Sequence, residues 1–262
     1  NQQMGGGTWV YLGTFDFAQD NPYDNCVMLS NQSNYRGVIT ADCVRFGGGM
    51  GNVARMSPGM STGSGSGLPR FLEGSRYYSQ WAGVPYHIYS PFESADDYSD
   101  DIKSRPLVAN YVARGSVYLP GDSGLCVPLE LSLGVHSDAG WRPDHTHIGT
   151  LGIYTTDWNN GVTGAGLSRL TSRDLVDMIM SHIKKDMDIN FGQWTRRQMY
   201  DKNYGESREP LIPGIILETL SHQNFWDLYR GHDPYFKFVM ARAIYKGILQ
   251  YLSEVYRLEN VA

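Results

Sequence analysis

Two stretches of the chain put a side chain capable of proton or metal chemistry where a run of apolar residues stops. In "LSLGVHSDAG" it is His136, and in "GIILETLSHQN" it is Glu218. Both runs read as strands, and in open α/β sheets sites gather at the carboxyl ends of the strands. A neutral imidazole holds a divalent metal, and a nearby carboxylate takes a proton from the bound water; one His and one Glu at neighbouring strand ends would supply that pair for zinc-assisted hydrolysis. Each residue also has a plain structural reading. A lone His is commonly half-buried and satisfied by a backbone carbonyl. A Glu among isoleucines is tolerated when a cation pairs with it, here Arg196, Arg197 or Arg208.

Other candidates are graded by reach. Glu130 shares a strand face with His136, but six residues at roughly 3.3 Å each separate them by about 20 Å, which excludes it as a ligand to the same ion. His145 and His147, in "PDHTHIG", could point to one strand face; they read as rim histidines first and alternative ligands second. Asp138 follows His136 closely enough to orient it or to touch substrate, and equally well forms a turn. Arg197, Tyr204 and Arg208 lie in "WTRRQMYDKNYGESREPLIP", where they could hold a charged peptide or sugar acid or be solvated loop charge. His87, His182 and His232 receive no role. The glycine runs at 5–7 and 47–49 lack the following Lys-Ser/Thr and helix of a phosphate loop.

The elements that must position these residues fall into two textures. From 8 to 46, short β-branched and aromatic runs ("TWVYLGTFDF", "CVMLS", "GVITADCVRF") alternate with Asn, Asp, Gly and Pro clusters, as at the end of a β-sandwich. "GGGMGNVARMSPGMSTGSGSG" has linker composition. This gives a sandwich part over 1–48, a linker over 49–67 and an α/β domain over 68–262. In that domain strands and helices alternate, as in a mostly parallel or mixed sheet covered by helices. Helices are expected at "LPRFLEGSRYYSQWAG", with Pro in its first turn, and at "DYSDDIKSRPLVANYVARG", interrupted near Pro106. A third spans 171–187, with Thr171 and Asp174 as a capping box and Val176, Ile179, Met180, Ile183 and Met187 as its buried stripe. The last helix places Phe238, Ala241, Ile244, Ile248, Leu252 and Val255 inward. Strands are expected at "VPYHIYS", "PLELSLGVHSD" with Leu129, Leu131, Leu133 and Val135 on the buried face, "HIGTLGIYTTD" and "GIILETL".

Bulk properties narrow the partners. With 262 residues, 41% hydrophobic and 19% charged, the chain is an ordinary folded protein of one large or two modest domains. A formal charge of -5 gives no basic field for a phosphate backbone, so nucleic acid is set aside. No apolar stretch is long enough to span a bilayer. Cys26, Cys43 and Cys126 lack zinc-ribbon or CxxC spacing, leaving one disulfide or none.

"SLGVHSDAG" resembles the second metal-histidine motif of the zinc-dependent N-acetylmuramoyl-L-alanine amidases, and "GIILETLSHQNFWD" resembles that family's closing motif. The resemblance implies a zinc amidase or exopeptidase-like fold, zinc held by His136, and Glu218 as general base. His222 would shape the pocket, where the family tends to have a polar group; the resemblance assigns no role to Asp138 or Arg197, which remain substrate-binding candidates by position alone. A closer likeness joins "GGGTWVYLGTFDF", "GVITADCVRFGGGMGN", "GLPRFLEGSRYY" and "SHQNFWDLYRGHDPYFKF" to secreted bacterial proteins of golvesin or xanthan-lyase-like type. In these a carbohydrate-binding-like β-sandwich is set inside the amidase domain. The family's site also uses a His and a Glu that precede the sandwich, so the chain reads as a C-terminal part whose upstream remainder completes the metal site. The implied substrate is cell-wall peptidoglycan, and the implied location is secreted, periplasmic or cell-surface. A glycan-binding protein without metal and a polysaccharide lyase are the alternatives, although no tight Tyr/His/Arg constellation points to a lyase.

Overall fold

The computed structural model describes residues 12, 15–18, 20, 25–34, 36–41, 44, 73–121, 123–144 and 146–257. The chain divides into two compact units, 1–56 with 60–73, and 57–59 with 74–262. In the first, no described residue lies in a helix or strand, so the runs expected at 26–30 and 37–46 are irregular where described. Met28 and Val38 are 84% and 87% exposed there. The expected linker and Cys43 lie outside the described residues; Cys26 and Cys126 are free thiols.

The second unit is an α/β fold. It contains α1 (Ser75–Trp81), α2 (Tyr86–Tyr89), α3 (Asp97–Ala113), β1 (Ser132–Asp138), β2 (Leu151–Tyr154), α4 (Leu170–Phe191), β3 (Tyr200–Asp201), α5 (Gly205–Arg208), β4 (Gly214–Ser221), α6 (Phe225–His232) and α7 (Pro234–Tyr256). The strands form one mixed sheet in the order β1-β4-β2-β3. β4 runs parallel to β1 and antiparallel to β2, and β2 runs parallel to β3. Among the described residues no helix is long and apolar enough to cross a membrane.

Strand alternation in β4 explains why its apolar run is continuous. Ile215 and Leu217 point to the face covered by α4 and α7, where Val176, Ile179, Met180, Ile183 and Met187 form the stripe expected of α4. Ile216 points to the other face, beside Leu151 and Ile153. Glu218, two residues on, shares that second face.

Several local expectations give way to tertiary context. "VPYHIYS" forms α2 rather than a strand: Ile88 N–H and Ser90 N–H bond the carbonyls of Pro85 and Tyr86, and among the described residues no strand pairs with it. α3 runs unbroken through Pro106, its start fixed by Asp96, which accepts from Tyr98 N–H and Ser99 N–H. α1 begins at Ser75, and residues 68–72 lie outside the described residues. α4 has no capping box, because Thr171 Oγ1 donates to the Ser168 carbonyl instead. The inward face of α7 is Phe236, Val239, Met240, Ala243, Gly247 and Tyr251, whereas Phe238 and Val255 are more than half exposed. Ile244, Ile248 and Leu252 pack at the margin of the core. The shift brings small residues against α4, since a Cβ on Gly247 would lie 2.8 Å from Ile179 N. Leu131, just before β1, and Leu133 within it border the core, but Val135 is 59% exposed because β1 is an edge strand among the described residues.

Candidate active site

His136 and Glu218 are register partners on β1 and β4. Residues paired on adjacent strands leave the sheet on one face, so both point away from the α4 and α7 core. The short helix α5 closes over them. Ser207 anchors it, its hydroxyl lying 2.8 Å from Thr155 Oγ1 at the end of β2, and Glu206 is thereby turned to the sheet. Glu206 Oε2 lies 2.7 Å from His136 Nε2. Arg105 of α3 braces that carboxylate at 3.4 Å while donating to Asp101 at 2.7 Å. The hydrogen bond to Glu206 raises the pKa of His136, opposed by desolvation and supported by the negative field of Glu206 and Glu218. Gly134 leaves room for this contact: a Cβ there would stand 3.3 Å from His136 Nε2 and 3.5 Å from Glu206 Oε1.

Glu218 Oε2 is buried and has no hydrogen-bond partner. Burial is the main cause that raises its pKa; His136 and Arg197 pull it down, while Asp138 and Glu206 push it up. None of the arginines that could have paired with it does so. Arg196 pairs with Asp177, Arg197 with Asp138, and Arg208 with Glu209. A partly desolvated carboxylate with an unsatisfied oxygen, raised toward neutral pH, is suited to accept a proton.

The remaining candidates are placed as follows. Asp138 is spent on the Arg197 ion pair and on Gly140 N–H rather than on His136. His222 Nδ1 is 3.1 Å from Ser137 Oγ and 3.2 Å from the Ser137 carbonyl, one residue out of phase with His136. His147 Nδ1 is 3.0 Å from Asp227 Oδ1. Glu130 accepts from Tyr256 OH. His145 lies outside the described residues. Glu206 and Arg105 escaped the sequence reading; the one signal was a carboxylate in the segment returning to the sheet just before β4.

His136, Glu206 and Glu218 offer donor atoms of the kinds zinc takes. Among the described residues, however, no group of three or more His, Cys, Asp or Glu side chains is arranged to hold a metal ion. The described donors alone therefore do not fit a closed zinc site.

No curated protein matches the chain. Among solved structures it is similar to the CwlD amidase of Clostridioides difficile, determined in complex with the GerS lipoprotein, at 19% identity and a TM-score of 0.43, covering 60% of this chain and 64% of that one. The N-acetylmuramoyl-L-alanine amidase of Clostridium difficile 630 gives 17% identity and a TM-score of 0.43 over 61% of this chain and 70% of that one. The amidase AmiC2 of Nostoc punctiforme gives 19% and 0.37 over 52% and 71%. The match thus spans just under two thirds of the CwlD chain. Residues 1–48 match the family model described as the Golvesin C-terminal domain.

Proposed function

We propose that this chain carries part of the site of a zinc-dependent amidase that hydrolyses the amide between the lactyl group of N-acetylmuramic acid and L-alanine in peptidoglycan. The observation that carries this reading is the pairing of His136 with Glu218 across β1 and β4, with Glu218 Oε2 buried and unpartnered. In this reading the enzyme works outside the cytoplasm, at the cell wall, and the segment 1–48 binds glycan. His136 would contribute to holding zinc, with further ligands from outside the described residues. The chemistry zinc would supply there is that of a Lewis acid, polarising a carbonyl and acidifying water. Glu218 takes a proton from the attacking water on its unsatisfied oxygen and returns it to the leaving amine nitrogen. Glu206, braced by Arg105, fixes the His136 ring from its Nε2 side. Arg197 neutralises Asp138, limiting the negative field beside the base.

The second reading is a glycan-binding protein that does no hydrolysis. Products decide between them. The chain joined to the upstream remainder expected to complete the metal site is incubated with zinc and an N-acetylmuramoyl-L-alanyl peptide, and free L-alanyl amino termini are quantified. Their release is the expected result. No release supports the binding protein, and ultraviolet-absorbing unsaturated sugars from a uronic-acid polysaccharide would replace the amidase reading with a lyase.

A further inference from the structure

A groove of 630 Å³ opens between the loop that follows β1, the segment after α4 and the start of α6. The proposed hydrolysis uses none of the residues that line it. One wall is the indole of Trp226, 48% exposed, and the base is Trp194, 3% exposed, whose Nε1 donates to Thr150 Oγ1. Between them stands His147, with its ring 5.4 Å from that of Trp194. Its orientation is enforced from beneath. Asp227 is fully buried and accepts from the N–H groups of Ile148, Gly149 and Ser221 as well as meeting His147 Nδ1. A carboxylate accepts, so Nδ1 carries the proton, and in the neutral imidazole Nε2 is the nitrogen free to accept from a ligand. Arg142 and Gln193 complete the rim with donors.

Beyond the groove, the aromatic surface continues along α6. Phe225 and Tyr229, each 61% exposed, are stacked on one another, and Trp226 stands edge-on to both. Exposed aromatic rings in a row, bordered by fixed donors and an acceptor, match a ligand with apolar C–H faces and hydroxyls at its edges. The volume suits a small-molecule-sized ligand, and the continuing row extends past a single ring.

We propose that this groove and the adjoining face of α6 bind a chain of pyranose rings, with Trp226 under one sugar face, His147 Nε2 accepting from a hydroxyl, and Arg142 and Gln193 donating. The site is separate from Glu218 and holds glycan whether or not hydrolysis occurs. The test uses the whole chain with fluorinated tryptophan, in which the fluorine resonance missing from Trp226→Phe is that of Trp226. This local signal excludes glycan bound elsewhere. Titration with the tetramer of N-acetylglucosamine should shift it saturably, and Glu218→Gln should leave the titration unchanged. Gln193→Ala, at an exposed position, should weaken it about threefold and His147→Gln about tenfold. The proposal is overturned if the Trp226 signal does not respond, if it responds only to an L-alanyl stem peptide, or if both substitutions leave the titration unaltered.

Discussion

His136 and Glu218 both have raised pKa values, for different reasons: the hydrogen bond to Glu206 raises that of His136, and burial raises that of Glu218. The His136 pKa is raised by Glu206, so the protonated imidazole is favoured in the folded metal-free chain. A raised folded pKa means that this stabilisation is fully present below the ordinary value of 6.5 and is lost as pH rises through the higher folded value. Melting temperature against pH should therefore fall across that window in the metal-free chain, and Glu206→Gln should flatten the fall. In the proposed mechanism the raised pKa of Glu218 bears on the rate, since a general base must be ionised. The acid limb of kcat/KM is expected above the ordinary carboxylate value of 4.5, as read from a pH–rate profile. Both residues were legible in the sequence, because each ends an apolar run. Glu206 and Arg105 were not, because their pairing arises from two helices that meet only in the fold, and no spacing encodes it.

The elements show where periodicity suffices and where packing overrides it. The α4 stripe was readable because it lies against a continuous core, and Met180→Ala there should cost about 2–5 kcal/mol in a denaturant titration. The phase of α7 was not readable from hydrophobicity, because Gly247, a residue without a side chain, packs against the Ile179 backbone of α4. Gly247→Ala would force a methyl against the Ile179 backbone, and a loss of about 1–3 kcal/mol is expected by the same titration. The helix α2 was misread as a strand because Tyr, Ile and His alternate in both settings over four residues; the absence of a pairing partner in the sheet decides it.

At the scale of the molecule, the mixed sheet makes the site by a simple device. β1 and β4 run parallel, so both bring their carboxyl ends, and hence His136 and Glu218, to one end of the sheet on one face. The sequence showed helix-covered strands and two strand-end residues, but the antiparallel β2 and the edge position of β1 depend on pairings that no local pattern contains. The account stands on Glu218 acting as a base rather than as a structural charge. The most direct test is to measure zinc content and the turnover of an N-acetylmuramoyl-L-alanyl peptide on the same samples of the parent, Glu218→Gln and His136→Ala. Glu218→Gln should keep the metal of the parent and lose at least about a hundredfold in kcat, within the range general-base catalysis contributes; His136→Ala should lose both. Turnover by Glu218→Gln at the parent's rate would contradict the account.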